Sequence, residues 1–159
     1  MAQAGHQQPT PRELGAACAA VRAGCACNGL RQAAREITQR YERALAPSGI
    51  KATQLPILVA LGAGEPIPLT PLADGLALDR TTLTRNLRIL EGRGLVTVGG
   101  VQQDGRMRMV SITDEGLRVL AHALELWRAE QGDVVEAFGE ARLRGLLGDL
   151  SDLTHSGAR

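Results

Sequence analysis

Leu78-Asp79-Arg80-Thr81-Thr82-Leu83-Thr84-Arg85-Asn86-Leu87-Arg88-Ile89-Leu90-Glu91-Gly92-Arg93-Gly94-Leu95-Val96 is the stretch on which the fold turns. Asp79 is an N-cap residue type, so a helix is predicted from Arg80 to about Glu91, closed by Gly92 and Gly94. Leu83, Leu87 and Leu90 recur at three- and four-residue spacing and give that helix one apolar side. Arg80, Thr81, Thr82, Arg85 and Asn86 fall elsewhere on its circumference. Upstream, Thr70-Pro71 reads as the start of a short helix carrying Leu72, Ala73 and Leu76, with a turn at Ala77-Leu78. Downstream, Leu95 to Val98 and Arg106 to Ile112 read as two strands, joined through the turn signal Asp104-Gly105.

Working outward, Leu30, Ala33, Ala34, Ile37, Tyr41, Ala44 and Leu45 mark one face of a helix spanning about Leu14 to Leu45, weakened at its front by Gly24 and Gly29 and ended by Pro47-Ser48-Gly49. Thr53 is the expected cap of a second helix containing Leu55, Ile57, Leu58 and Leu61. Gly62 to Pro68 reads as a loop. Thr113 to Gly116 opens a long helix from about Asp114 to Phe138, with Leu117, Leu120, Ala121, Leu124 and Trp127 as its stripe. A final helix covers about Ala141 to Leu153. The predicted class is mainly α with a small β-hairpin wing: a winged helix-turn-helix between terminal helices. The expected division is a disordered tail over 1–11, N-terminal helices over 12–47, a winged helix-turn-helix lobe over 48–113, and C-terminal helices over 114–159.

A helix that enters a major groove about 12 Å wide needs an apolar back, and a front of short hydroxyls and arginines. Arg80, Thr81, Thr82, Thr84, Arg85 and Arg88 supply that front. At the wing, Arg106 and Arg108, beside Asp104 at the hairpin tip, offer arginines to a minor groove or to phosphate. The charge distribution agrees. Six arginines face three acids between Asp79 and Val110, whereas nine acids face four arginines between Asp114 and Asp152, so a net charge of only +1 hides a basic middle and an acidic tail. Lys51 is the one lysine, and arginine suits phosphate forks and base edges better. A GC-rich genome would also enrich arginine.

The wing sequence Asp104-Gly105-Arg106-Met107-Arg108-Met109-Val110-Ser111-Ile112-Thr113-Asp114-Glu115-Gly116, together with the stretch quoted first, resembles the multiple-antibiotic-resistance regulator (MarR) family. Asp104 and Arg106 match the family's Asp-x-Arg wing pair. Ile112, Thr113 and Gly116 match its Leu-Thr-x-x-Gly-like entry into the next helix, with Ile in place of Leu. The similarity covers roughly Leu30 to Leu153. It implies a homodimer interlocked through a helical dimerisation region made of the helices over 12–47 and 114–159, each subunit presenting the DNA-binding lobe over 48–113, with its one winged helix, to double-stranded operator DNA. It also implies a repressor, released by a small ligand, a metal or thiol modification.

Cys18, Cys25 and Cys27 lie together near the N-terminus. An odd count argues against a disulfide framework, and Cys-x-Cys is too close for zinc-finger spacing. Three readings stay open: small apolar packing beside alanines, a redox-active thiol group favoured by Arg22, and a soft-metal site. His6, His122 and His155 are remote in sequence, so the metal question stays unknown. No cofactor is required, and a small effector is the expected ligand.

Other classes are disfavoured. Phe138, Trp127 and Tyr41 are too few to make stacking platforms for single strands. No apolar run approaches the roughly 20 residues of a membrane span, and the polar start is no signal peptide, so a cytoplasmic location without membrane partners is expected. No phosphate loop, Gly-x-Ser-x-Gly elbow or His-Glu-x-x-His occurs, and no enzyme is expected. The competing reading is a winged helix that binds only protein, which has no need of an arginine at the wing tip.

Overall fold

The computed structural model describes residues 9–101 and 104–156, with side chains at 100–107, 155 and 156 outside that description. The described chain divides into two compact units, meeting between Gln39 and Arg40.

The first unit is helical. Helix α1 (Pro11–Gly24) starts at a capping box, in which the Glu13 N–H donates to Thr10 Oγ1 and the Thr10 N–H donates to the Glu13 carboxylate at 2.8 Å. Pro11 follows at the first helical position, where its missing N–H costs nothing. Residues 1–8 of the expected tail lie outside the described residues. The long helix expected from Leu14 to Leu45 is interrupted: Cys25 is extended (φ −74°, ψ 104°), and α2 (Ala26–Leu45) begins after it. The break follows Gly24, while Gly29 is accommodated within α2. No residue of α1 is buried, and Leu14, Val21, Leu30 and Ile37 are all exposed.

The second unit holds the core. After α2 a 3₁₀ turn (Ala46–Ser48) leads to Gly49 in a left-handed conformation. Helix α3 (Leu55–Leu61) buries Leu55, Ile57, Leu58 and Leu61. Thr53 does not cap it. The entry is instead a turn in which the Gln54 N–H bonds the Lys51 carbonyl and the Lys51 N–H donates to Gln54 Oε1, which lets Gln54 be buried. Ile67-Pro68, expected in a loop, forms a short strand β1 by pairing with Val110 and Met109. Helix α4 (Leu69–Gly75) therefore starts one residue before Thr70, with Pro71 at its third position, where an unpaired N–H is normal. Leu76 and Ala77 form the turn, with Ala77 at φ +50°, and α5 (Arg80–Gly92) follows. Strands β2 (Val96–Val101) and β3 (Asp104–Ile112) are antiparallel, and the sheet order is β1-β3-β2. Helix α6 (Asp114–Phe138) is capped by Thr113 as expected, and α7 (Glu140–Ser156) completes the chain.

One core joins these elements: Leu45 and Ile50, the α3 leucines, Leu72 and Ala73 of α4, Leu83, Leu87 and Leu90 of α5, Leu95, Val96 and Val110, and Leu120 and Ala123 of α6. Trp127 packs partly buried against it. The buried side of α6 runs through Leu120 and Ala123; Leu117 and Ala121 of the expected stripe face out. The end of α2 is tied to α6 by the Arg40–Glu130 ion pair at 2.6 Å and by the Tyr41 hydroxyl, which donates to Gln131 Oε1. Among the described residues, no helix is long and apolar enough to cross a membrane.

Candidate nucleic-acid interface

The interface is built on α5. Its start is fixed by Asp79, whose Oδ1 accepts from the Thr82 N–H at 2.8 Å and whose Oδ2 accepts from the Thr82 hydroxyl at 2.7 Å. Its back is held by Leu83, Leu87 and Leu90, all buried. That leaves Thr81, Thr84, Arg85 and Arg88 exposed, at spacings of three, four and seven residues that bring them onto one side of the helix. Arg80 is exposed at the first turn. The result is a cationic and hydroxyl-bearing ridge on a rigid apolar base, able to donate to base edges and phosphates.

Two α5 residues depart from expectation. Thr82 is half-buried, and its hydroxyl hydrogen is used inside the cap, so it serves the helix start more than the outer face. Asn86, expected on the polar circumference, is buried. It lies next to the Leu83–Leu90 side, and its Nδ2 donates to the Thr82 carbonyl at 3.0 Å, which removes the penalty of burying the amide.

In the wing, Arg108 lies on β3 opposite Gly100 and is exposed. Asp104 and Arg106 are placed on β3 by backbone only, and their side chains fall outside the described residues. The wing root is anchored twice. The Thr113 N–H donates to the Leu95 carbonyl at 3.0 Å, and the Thr113 hydroxyl donates to the Gly94 carbonyl at 2.7 Å. Two further charged residues hold the far end of α5, and the sequence reading assigned neither a role: Glu91 accepts from the Val98 N–H, and Arg93 donates to the Gly49 carbonyl at 2.6 Å. One bond runs from helix to strand and the other across 44 positions, so neither spacing nor composition announces them.

The hydrogen bonds from Thr82 hold the Asp79 carboxyl below its ordinary value of 3.8. A depressed carboxylate favours the folded helix start above that ordinary value, and the benefit is lost as pH falls through the lowered one. Asp79→Asn keeps an oxygen acceptor but does not titrate. Amide exchange in the first turn of α5 should therefore accelerate on acidification in the wild type, beyond the intrinsic pH dependence, and show no such component in the variant. Equal pH dependence in both would remove Asp79 from the cap.

The three cysteines are free thiols. Cys18 and Cys27 are exposed, and Cys25 is partly exposed at the α1–α2 break. The break also means that Cys18 and Cys25 do not share one continuous helix. Among the described residues, no group of three or more His, Cys, Asp or Glu is positioned to hold a metal ion.

A short helix, a tight turn, a second helix with an arginine–threonine ridge and an antiparallel hairpin define a winged helix-turn-helix. The chain belongs to the MarR family of winged helix-turn-helix transcriptional regulators. A family model described as a helix-turn-helix domain matches residues 52–99. The transcriptional regulator MosR of M. tuberculosis, solved in complex with DNA, is 34% identical, with a TM-score of 0.75 over 86% of this chain and 100% of that one. CouR, a transcriptional repressor solved on a 23-mer DNA duplex, is 25% identical, with a TM-score of 0.75 over 81% of this chain and 92% of that one. The organic hydroperoxide resistance transcriptional regulator of Bacillus subtilis (strain 168) is 29% identical over 100 residues, 63% of this chain and 68% of the relative. These relatives are regulators of transcription, not enzymes.

Proposed function

We propose that the chain is a homodimeric, sequence-specific repressor that places α5 in the major groove of double-stranded DNA and its wing on the adjacent minor groove or phosphates. The observation that carries this is the α5 ridge of Thr81, Thr84, Arg85 and Arg88 standing on a buried leucine base. The DNA complexes of MosR and CouR support the same reading. A protein-only winged helix does not account for a ridge of that chemistry.

The second copy is supported by apolar side chains that this chain alone leaves in water. Leu14 and Val21 on α1, and Leu30 and Ile37 on α2, repeat at seven-residue spacing. On α7, Leu146, Leu147 and Leu153 are exposed as well. One winged helix per subunit and a two-fold axis set half-site centres about 10–11 base pairs apart. The test is a gel shift on the gene's own upstream region, with specific and nonspecific competitor, together with light scattering. A retarded complex that specific competitor alone removes, and a dimer at micromolar concentration, are expected. A monomer, or loss of the complex to any DNA, would sink the proposal.

Release of DNA is assigned to a small effector or to thiol modification. CouR has also been solved with p-coumaroyl-CoA, which shows one such ligand for that protein. Thiol chemistry is assigned to Cys25, which is partly exposed where the helix is already broken; Cys18 and Cys27 share helix faces with Leu14, Val21 and Leu30, which the second copy would cover. The wild type should lose DNA affinity on treatment with peroxide or a thiophilic metal, and a Cys25→Ser/Cys27→Ser variant should keep it. Wild-type binding that ignores both reagents would leave the cysteines structural and the release to an organic ligand.

A further inference from the structure

Strand β2 is an edge of the sheet, so one row of its backbone N–H groups has no neighbouring strand to bond. The Val98 N–H is taken by the Glu91 carboxylate at 3.1 Å, from the last turn of α5. Across the sheet Val98 pairs with the fully buried Val110. Immediately beyond it come Gly99 and Gly100, which offer no side chains to pack, and then an irregularity in the register between Gly100 and Val101. Among the described residues, Val98 is thus the last point at which β2 is held from outside its own hairpin. Any tilt there is magnified along the strands toward Val101 and Asp104, since each residue adds about 3.3 Å of reach.

We infer that Glu91 is a positioning residue for DNA binding: its carboxylate fixes the wing's direction relative to α5, so that ridge and wing meet the duplex together. The inference rests on the proposal that the wing touches DNA. The negative charge of Glu91 would by itself oppose a polyanion. Electrostatics and positioning therefore predict opposite signs for the same substitution.

Glu91→Ala removes both charge and acceptor, whereas Glu91→Gln removes the charge and keeps an amide oxygen that accepts the Val98 N–H. Expected results are a loss of about threefold to tenfold in DNA affinity for Glu91→Ala, the scale of one hydrogen bond, and affinity equal to or above wild type for Glu91→Gln. Val98 amide exchange should accelerate in Glu91→Ala and not in Glu91→Gln. In an Arg106→Ala background, which should bind more weakly than wild type on most sequences and show a flatter salt dependence, Glu91→Ala should cost less than it does alone, because the wing contact it aligns is already gone. Tighter binding by both Glu91 variants, or unchanged Val98 exchange in Glu91→Ala, overturns the inference and leaves the wing contact standing. Wild-type affinity and salt dependence in Arg106→Ala alone would overturn the wing contact and this inference with it.

Discussion

Replacing Gly116 with alanine should destabilise the protein by about 3 kcal/mol, at the upper end of what overpacking usually costs. A Cβ on Gly116 would stand 2.1 Å from the Leu95 carbonyl oxygen and 2.7 Å from Ile112 Cγ1. The first obstacle is backbone and has no rotamer to escape into. Relief requires the first turn of α6 to move off Leu95, the residue that leads into β2. That movement strains the bond from the Thr113 N–H to the Leu95 carbonyl, and the Thr113 hydroxyl that bridges Gly94 to the Gly116 N–H. Alanine's better helix propensity returns only about 1 kcal/mol. At about 2–4 °C per kcal/mol for a chain of this size, the thermal midpoint should fall by roughly 6–12 °C. Urea unfolding monitored by circular dichroism measures it, and a loss below about 1 kcal/mol would mean that the α6–Leu95 contact yields freely. The glycine of the family's helix-entry pattern is then a packing requirement with a physical cause.

Arg85→Ala should lose about 1–3 kcal/mol of operator affinity and relax base preference at one position of each half-site, as expected for a bidentate guanine contact. Arg85 is exposed midway along α5, between Thr81 and Arg88 on the same side, and its removal leaves the buried Leu83, Leu87 and Leu90 untouched. The folded state should therefore be unchanged by thermal melting. Arg85→Lys separates the two components of the effect: charge is kept, so nonspecific affinity and its salt slope should stay near wild type, while discrimination between bases falls. A uniform loss on all sequences in both variants would reassign Arg85 to phosphate.

The α5 helix was legible in the sequence because its determinants are local. Asp79 caps the N–H three residues on, and Leu83, Leu87 and Leu90 follow the helical period. Thr113 at the head of α6 is the same kind of signal. The capping box of Thr10 and Glu13 is equally local, but the polar residues around it have the composition of a tail. What was not legible depends on distant partners. Ile67-Pro68 becomes a strand only because β3 lies beside it. Thr70-Pro71 looks like a helix start until that strand delivers the chain at Leu69. Thr82 has the right chemistry for DNA, but a closer acceptor in Asp79 claims its proton. Arg40 and Glu130 are ninety positions apart, and no periodicity connects them.

The sheet order has a consequence for how the protein behaves in a crowded cell. A protruding hairpin with free edges is a template on which another strand can pair, and growth by such pairing leads to aggregation. Here the longest strand, β3, is in the middle. One flank is the two-residue β1, which ends at Pro68 and so has no N–H to offer at that position. The other is β2, where Glu91 occupies the Val98 N–H and the glycine pair and irregularity beyond it spoil a straight register. The hairpin therefore presents little that a fourth strand, from this chain or another, could add to.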